Sequence, residues 1–89
     1  MHDDEPTTTR VVLYSRAGCH LCDDARAVVR AEAALAGTGW REVDVDTGDE
    51  PGRDLSRYGD LVPVVEVDGV RQGYWRIESA RLRRALAAR

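Results

Sequence analysis

The two cysteines of the chain, Cys19 and Cys22, lie three positions apart within the segment SRAGCHLCDDAR (15–26). A disulfide between them would close a loop of a few residues, which is too short to restrict the unfolded chain appreciably. In a reducing compartment, a pair at this spacing is more often catalytic or metal-binding than architectural. The pair is therefore the first place to look for chemistry, as a redox couple or as half of a metal site.

Cys19 stands where a strand pattern gives way to a helix pattern, and Cys22 lies one turn inside that helix. Only a thiolate attacks a disulfide, and the unpaired N–H groups and dipole at a helix start stabilise such an anion. We therefore expect Cys19 to be the nucleophile and Cys22 the resolving thiol. His20 could donate a hydrogen bond to the sulfur, and Arg16 adds a fixed positive charge nearby.

A metal site is the main alternative for the cysteine pair. Tetrahedral zinc requires about four ligands, and the chain offers only His20 and His2 as histidines. We therefore predict no metal site within one chain. Two chains could still complete such a site, or hold an iron–sulfur cluster with Cys19 from each, so a dimeric cluster carrier stays open. Two inert core cysteines are the remaining alternative.

The elements around the pair follow from the pattern of apolar residues. The run RVVLYS (10–15) is apolar on both faces, as in a strand buried in the middle of a sheet. A helix is predicted from residue 19 or 20 to about Ala36, before the sequence GTG (37–39) ends it. Its apolar stripe is predicted to comprise Leu21, Ala25, Val28, Val29 and Leu35, with Arg26, Arg30 and Glu32 on the other side.

Three further strands and two helices are predicted after this helix. WREVDVD (40–46) alternates as a half-buried strand with Val43 and Val45 inward, and a short helix through Leu55 and Tyr58 follows a loop. PVVEV and VRQGYW flank Asp68-Gly69, which is a strong hairpin signal. A last helix is predicted from Ile77 to about Ala88. The order β-α-β-α-β-β-α predicts a four-stranded mixed sheet with three helices in three layers.

Composition limits the class of protein. The chain has 89 residues, 43% of them hydrophobic, so we expect a single domain over residues 10–89 after a flexible tail at 1–9. The net charge of −3 argues against a nucleic-acid partner. No apolar run reaches the roughly 20 residues that cross a bilayer, and the acidic start is unlike a secretory signal. We expect a cytoplasmic monomer without a membrane partner.

The chain resembles the glutaredoxin family within the thioredoxin-like fold. The resemblance covers about residues 10–88 and is carried by the strand VVLYS, by RAGCHLC at a helix start and by VPVVEVDG at a hairpin strand. Short bacterial glutaredoxin-like proteins are the most similar members. The resemblance implies a thioredoxin-like three-layer sandwich with a cis peptide between Val62 and Pro63, packed beside Cys19. It also implies that the backbone of Val62 pairs with a bound thiol substrate.

The family's glutathione site is only partly present. Arg16 falls where glutaredoxins carry a basic residue that helps bind a carboxylate of glutathione. Family members usually have Gly-Gly after the hairpin, followed by Asp at the last helix. Gly73 matches the first glycine, but Tyr74 replaces the second and Arg76 stands where the Asp belongs. Bulk and a positive charge there should weaken glutathione binding.

The sequence therefore predicts a dithiol thiol–disulfide oxidoreductase that reduces protein or low-molecular-weight disulfides. No tightly bound cofactor is expected. The electron donor is expected to be a reductase or a low-molecular-weight thiol, with glutathione disfavoured. A thioredoxin-fold binding module without redox turnover is the alternative from another functional class.

Overall fold

The computed structural model describes residues 9–88 of the chain. The elements within this range are β1 (Thr9–Ser15), α1 (His20–Ala36), β2 (Gly39–Asp44), α2 (Leu55–Gly59), β3 (Val64–Val67), β4 (Val70–Tyr74) and α3 (Ser79–Ala87). The predicted order and element types are confirmed. The predicted tail covers residues 1–9, of which residues 1–8 lie outside the described residues, and Thr9 begins β1.

The strands form one mixed sheet in the order β2-β1-β3-β4. β1 pairs in parallel with β2 and antiparallel with β3, and β3 pairs antiparallel with β4. The register of β3 and β4 shifts between Val65 and Glu66, where Gln72 has no counterpart. The parallel β1–α1–β2 unit places the start of α1 at the end of β1, as the chain order requires.

The core lies on both faces of the sheet, which confirms the three-layer arrangement. Because β1 and β3 are central strands, their side chains are buried on both faces. The face covered by α1 and α3 holds Val11, Leu13, Ala25, Val29, Val65, Val67, Leu82 and Leu86. The face covered by α2 holds Tyr14, Val43, Val45 and Val64, with Leu55 and Tyr58 packed against them.

The predicted stripe of α1 is wrong at its C-terminal end. Leu35 is 74% exposed, whereas Glu32 is only 4% exposed. The reason is the packing of α3, whose Arg83 donates to Glu32 Oε1 and Oε2 at 3.0 and 2.8 Å. The Arg83 guanidinium also lowers the pKa of the Glu32 carboxyl. A buried carboxylate paired in this way replaces an apolar contact between the two helices.

Turns and element ends agree with their sequence signals. Asp68 and Gly69 have φ values of 53° and 82°, which confirms the two-residue hairpin turn. Gly37 ends α1 with φ at 70° and donates to the carbonyls of Ala33 and Ala34. β2 ends earlier than predicted because the Asp44 carboxylate accepts from the backbone N–H groups two and three residues ahead, at 2.7 and 3.3 Å.

Candidate active site

Cys19 is the N-cap residue of α1. Its backbone is extended, with φ at −94° and ψ at 114°, and its Sγ accepts from the N–H of Cys22 at 3.2 Å. The side chain is partly exposed to solvent. The sulfur therefore lies at the positive end of a 17-residue helix, where unpaired amides and the dipole favour a negative charge.

Cys22 has the opposite environment, although it lies only one turn further along. It is 1% exposed and belongs to the buried core. Burial, with a further contribution from a hydrogen bond to Cys19, raises the pKa of the Cys22 thiol to about 12. Both cysteines are free thiols. In the reduced protein Cys22 is therefore a protonated thiol that solvent does not reach.

Arg16 connects the loop before Cys19 to two other parts of the chain. Its Nε and Nη2 donate to the Asp46 carboxylate at 2.9 and 3.0 Å, and its Nη1 donates to the carbonyl of Gly59 at 3.1 Å. Arg16 lowers the pKa of the Asp46 carboxyl. A Cβ at Gly59 would lie 2.8 Å from Arg16 Nη2, so the Arg16 guanidinium would have to shift to make room for any other residue there. The role of Arg16 in substrate binding stays a prediction.

The peptide bond between Val62 and Pro63 is cis, as the resemblance implied. Pro63 is fully buried and Val62 is partly exposed. The N–H of Trp75 donates to the carbonyls of Pro63 and Leu61 at 2.9 and 3.2 Å. Trp75, directly after β4, therefore holds the cis-proline segment before β3 through two backbone hydrogen bonds.

Gly73 and Tyr74 end β4 with different surroundings. Gly73 lines a cavity of about 190 Å³ together with Arg76 and Ile77. Tyr74 is 43% exposed. Its ring packs edge-to-face on Trp75 at 5.1 Å, and the Arg71 guanidinium lies 5.6 Å from its centre.

Arg76 and His20 complete the residues that the sequence singled out. Arg76 lines a cavity of about 80 Å³ together with Leu21 and Asp24 of α1, so the hairpin end and the start of α1 are adjacent. His20 is the exposed first residue of α1. The proposed substrate-binding roles of His20, Val62, Pro63, Gly73 and Tyr74 stay predictions.

Trp75 is the residue near the site that sequence reasoning missed. Its φ is 63°, it is 53% exposed, and its indole N–H donates to the carbonyl of Asp60 at 3.3 Å. No periodicity indicates an indole in a left-handed backbone conformation. The positive φ and the exposed ring are visible only in three dimensions.

Glu66 is a second missed residue, with a structural role. It lies within β3 and accepts from Arg53 at 2.8 and 3.0 Å and from the Tyr58 hydroxyl at 2.7 Å. These bonds fasten α2 and its preceding loop to the sheet. A charged residue in the apolar run VVEV was the available signal, because a buried carboxylate requires partners.

Neither a metal cluster nor a membrane span is found among residues 9–88. No group of three or more His, Cys, Asp or Glu side chains in this range could hold a metal ion. No helix in the same range is long and apolar enough to cross a membrane.

The fold and the cysteine pair together define the class of protein. A four-stranded mixed sheet with helices on both faces, and a Cys-x-x-Cys pair at the start of α1, is a thioredoxin-like domain. Residues 10–87 match the family model described as Glutaredoxin-like domain (DUF836). The chain belongs to this glutaredoxin-like family.

Similar proteins are found among curated sequences and solved structures. Uncharacterized proteins of Mycobacterium tuberculosis and Mycobacterium bovis are 32% identical over 80 residues, covering 88% of this chain and 82% of theirs. An X-ray structure of a structural genomics target from X. campestris has 33% identity and a TM-score of 0.66, covering 89% of this chain and 97% of that one. A solution NMR structure of a protein from Nitrosomonas europaea has 26% identity and a TM-score of 0.64, covering 92% and 93%.

Proposed function

We propose that the protein is a dithiol thiol–disulfide oxidoreductase that acts through Cys19 and Cys22. The observation that carries this proposal is the position of Cys19 Sγ, which accepts from the Cys22 amide at 3.2 Å at the start of α1. The same arrangement brings a protonated, buried thiol next to the exposed sulfur. Cys19 can therefore react with a substrate, while the buried Cys22 lies next to it for the second exchange.

The reaction proceeds in two exchanges. The Cys19 thiolate attacks one sulfur of a substrate disulfide, forms a mixed disulfide and releases the other sulfur as a thiolate, which takes up a proton. Cys22 then gives up its proton and attacks Cys19 Sγ, so the second substrate thiol leaves. The substrate gains two electrons and two protons, and the protein ends with a Cys19–Cys22 disulfide. An outside dithiol or two thiols restore the reduced pair.

The environments of the two sulfurs support this order of attack. Cys22 keeps its proton in the reduced protein because burial raises its pKa to about 12, so it does not compete as the first nucleophile. Once Cys19 is part of a mixed disulfide, its Sγ becomes the electrophile nearest to Cys22. Cys22 is therefore the thiol that resolves the mixed disulfide, and Cys19 is the one that attacks the substrate first.

Glutathione is a poor fit as the electron donor in this proposal. Arg16, the residue expected to meet its carboxylate, already binds Asp46 through two hydrogen bonds, so a ligand carboxylate has to compete with that pair. Tyr74 and Arg76 add bulk and positive charge at the other end of the site. A different low-molecular-weight thiol or a reductase, in the reducing cytoplasm, is the proposed donor.

Trapping of the mixed disulfide tests the proposal. We expect Cys22→Ser to accumulate a covalent adduct at Cys19 with a substrate disulfide, and Cys19→Ser to form none, as measured by intact mass. Circular dichroism of both variants controls for folding. A wild-type pair that forms no internal disulfide under mild oxidant would favour the binding module. A brown colour after anaerobic purification would favour the dimeric cluster carrier.

A further inference from the structure

The arginines of residues 9–88 fall into two groups. Those with an ion pair to a carboxylate are Arg10, Arg16, Arg26, Arg41, Arg53 and Arg83. Those without an ion pair to any described residue are Arg30, Arg57, Arg71, Arg76, Arg81 and Arg84. All of the second group except Arg30, which lies on α1, are close to strand β4.

These unpaired arginines lie on both faces of β4. Arg71 belongs to β4 itself and lines a cavity of about 230 Å³ with Arg57 of α2. On the other face, Arg81 and Arg84 of α3 line a groove of about 660 Å³ beside β4. Arg76 follows the strand directly. Asp54 and Asp68 line the same cavities, but Asp54 accepts hydrogen bonds from Ser56 and the Arg57 amide, and Asp68 is bound by Arg10. Positive charge is therefore concentrated beside β4 although the chain has a net charge of −3.

β4 is also an open edge of the sheet. It is the last strand in the order and hydrogen-bonds only to β3 among the described strands. Three of the four large hydrophobic side chains that are exposed in the described range lie on β4 or directly after it, namely Val70, Tyr74 and Trp75. An unpaired strand edge with exposed apolar side chains is a template for another strand.

We propose that the open edge of β4 binds an extended acidic segment of a partner protein as a fifth strand. Side chains of such a segment alternate between the two faces of the sheet, so its carboxylates would meet Arg57 and Arg71 on one face and Arg81 and Arg84 on the other. Two copies of this chain joined edge to edge would bring the same arginines together, and like charges oppose that dimer. An acidic partner fits both the charge and the edge.

The edge leads towards the cysteine pair. Trp75 and Arg76, directly after β4, line one small cavity with Leu21, which lies between Cys19 and Cys22 in the chain. Under the proposed function the partner would therefore be the protein that carries the disulfide, and this assignment rests on that function. Binding at β4 itself does not require the thiol chemistry.

Binding of peptides without cysteine tests the proposal separately from the redox activity. The probe is a peptide of about eight residues with the repeat Glu-Glu-Val-Val, which places Glu on both faces of an extended strand, titrated into the full chain. The first matched peptide has Lys in place of Glu, and the second has Pro in place of each Val, which removes N–H groups that a ladder needs. We expect the acidic peptide to bind and to slow hydrogen exchange of β4 amides, with affinity reduced at least about tenfold for both matched peptides.

Substitutions in the protein locate the site. We expect Arg71→Gln and Arg81→Gln each to weaken binding of the acidic peptide about fivefold. Arg30→Gln removes an arginine that is equally unpaired but lies on α1, and it is expected to leave the affinity within about twofold. A uniform loss in all three variants would show a diffuse charge effect and would overturn the proposal.

Four other outcomes would also overturn it. The first is equal affinity for the acidic peptide and its proline-containing counterpart, which would exclude strand pairing. The second is self-association of the chain through β4, and the third is competition by a single-stranded oligonucleotide at the same residues. The fourth is a gain in affinity above about tenfold when Asp3, Asp4 and Glu5 are changed to amides. That gain would identify the chain's own N-terminal segment as the occupant.

Discussion

The two edges of the sheet carry arginines in different states. Beside β2, Arg26 binds Glu42 at 2.6 and 2.9 Å, and Arg41 binds Glu50 at 2.6 and 3.1 Å. Beside β4, Arg53 pairs with Glu66, but Arg57 and Arg71, which line the same cavity, and Arg81 and Arg84 on the other face form no ion pair with a described residue. The two arginines beside β2 therefore connect elements of the fold, whereas most of those beside β4 are available to an external anion. The proposed recognition role of arginine is confined to the β4 edge.

The largest effect on stability is expected at Glu66, the most buried carboxylate that pairs with an arginine among the described residues. Glu66 has a side chain that is 3% exposed, and it binds Arg53 and Tyr58. We expect Glu66→Ala to lower the free energy of unfolding by about 3 kcal/mol, because it leaves the buried Tyr14 hydroxyl and the partly buried Arg53 and Tyr58 donors without their shared acceptor. Urea unfolding measures this loss. Glu78→Ala, which removes a carboxylate that forms no ion pair with a described residue, is the matched control, and an equal loss there would contradict the comparison.

Acid should destabilise the protein through the paired carboxylates beside β2. Arginines lower the pKa values of Glu42 and Glu50 in the folded protein below their usual range. A carboxyl with a lowered folded pKa contributes stability above its unfolded pKa and loses it as the pH falls through the folded value. We expect the urea midpoint to fall between about pH 5 and pH 2.

Two variants separate the sources of that acid dependence. Arg26→Gln should flatten the profile, because Glu42 then loses its main partner. Arg84→Gln should leave the shape of the profile unchanged, because Arg84 pairs with no described carboxylate. A changed profile in Arg84→Gln would show that the β4 edge also contains coupled carboxylates.

A smaller effect on stability, a gain instead of a loss, is expected at the start of α3. Glu78 is the N-cap residue of α3 and makes no side-chain hydrogen bond to the helix. Serine caps helices well, so Glu78→Ser should raise the free energy of unfolding by about 0.5 to 1 kcal/mol. The change also removes a negative charge from the cavity beside β4. It should therefore tighten binding of the acidic peptide, and weaker binding would count against the proposed strand addition.

The smallest effect on stability is expected from the unpaired arginines themselves. Arg81→Ala and Arg84→Ala should each change the free energy of unfolding by less than about 0.5 kcal/mol, because no ion pair to a described residue is lost. Thermal unfolding of both variants measures this. A large loss in either would mean that these side chains support the fold after all.

Most of the fold could be predicted from signals between residues that are close together in the sequence. The hairpin at Asp68 and Gly69, the helix end at Gly37 and the position of Cys19 at the cap of α1 depend on residues close together in the chain. These three predictions agree with the structure because turn and cap geometry depends on neighbouring residues. The order of elements then left few ways to arrange the sheet.

The parts that failed or were missed depend on residues far apart in sequence. Glu32 was placed on the wrong side of α1 because its partner Arg83 comes 51 residues later. Likewise, Asp46 lies 30 residues from the Arg16 that it binds. The formal net charge of the chain does not distinguish paired from unpaired arginines. That distinction, on which the contrast of the two edges depends, appears only after folding.

Trp75 has a left-handed backbone conformation that is unfavourable for a residue with a side chain. A φ of 63° disfavours any side chain with a Cβ by roughly 1–2 kcal/mol, and glycine would adopt it freely. The position nevertheless holds the largest side chain available, with half of its surface in water. Glycine here would remove the backbone penalty, but it would also remove the indole hydrogen bond to Asp60 and the ring contact with Tyr74. The unfavourable backbone conformation is therefore offset in part by contacts that only the indole makes.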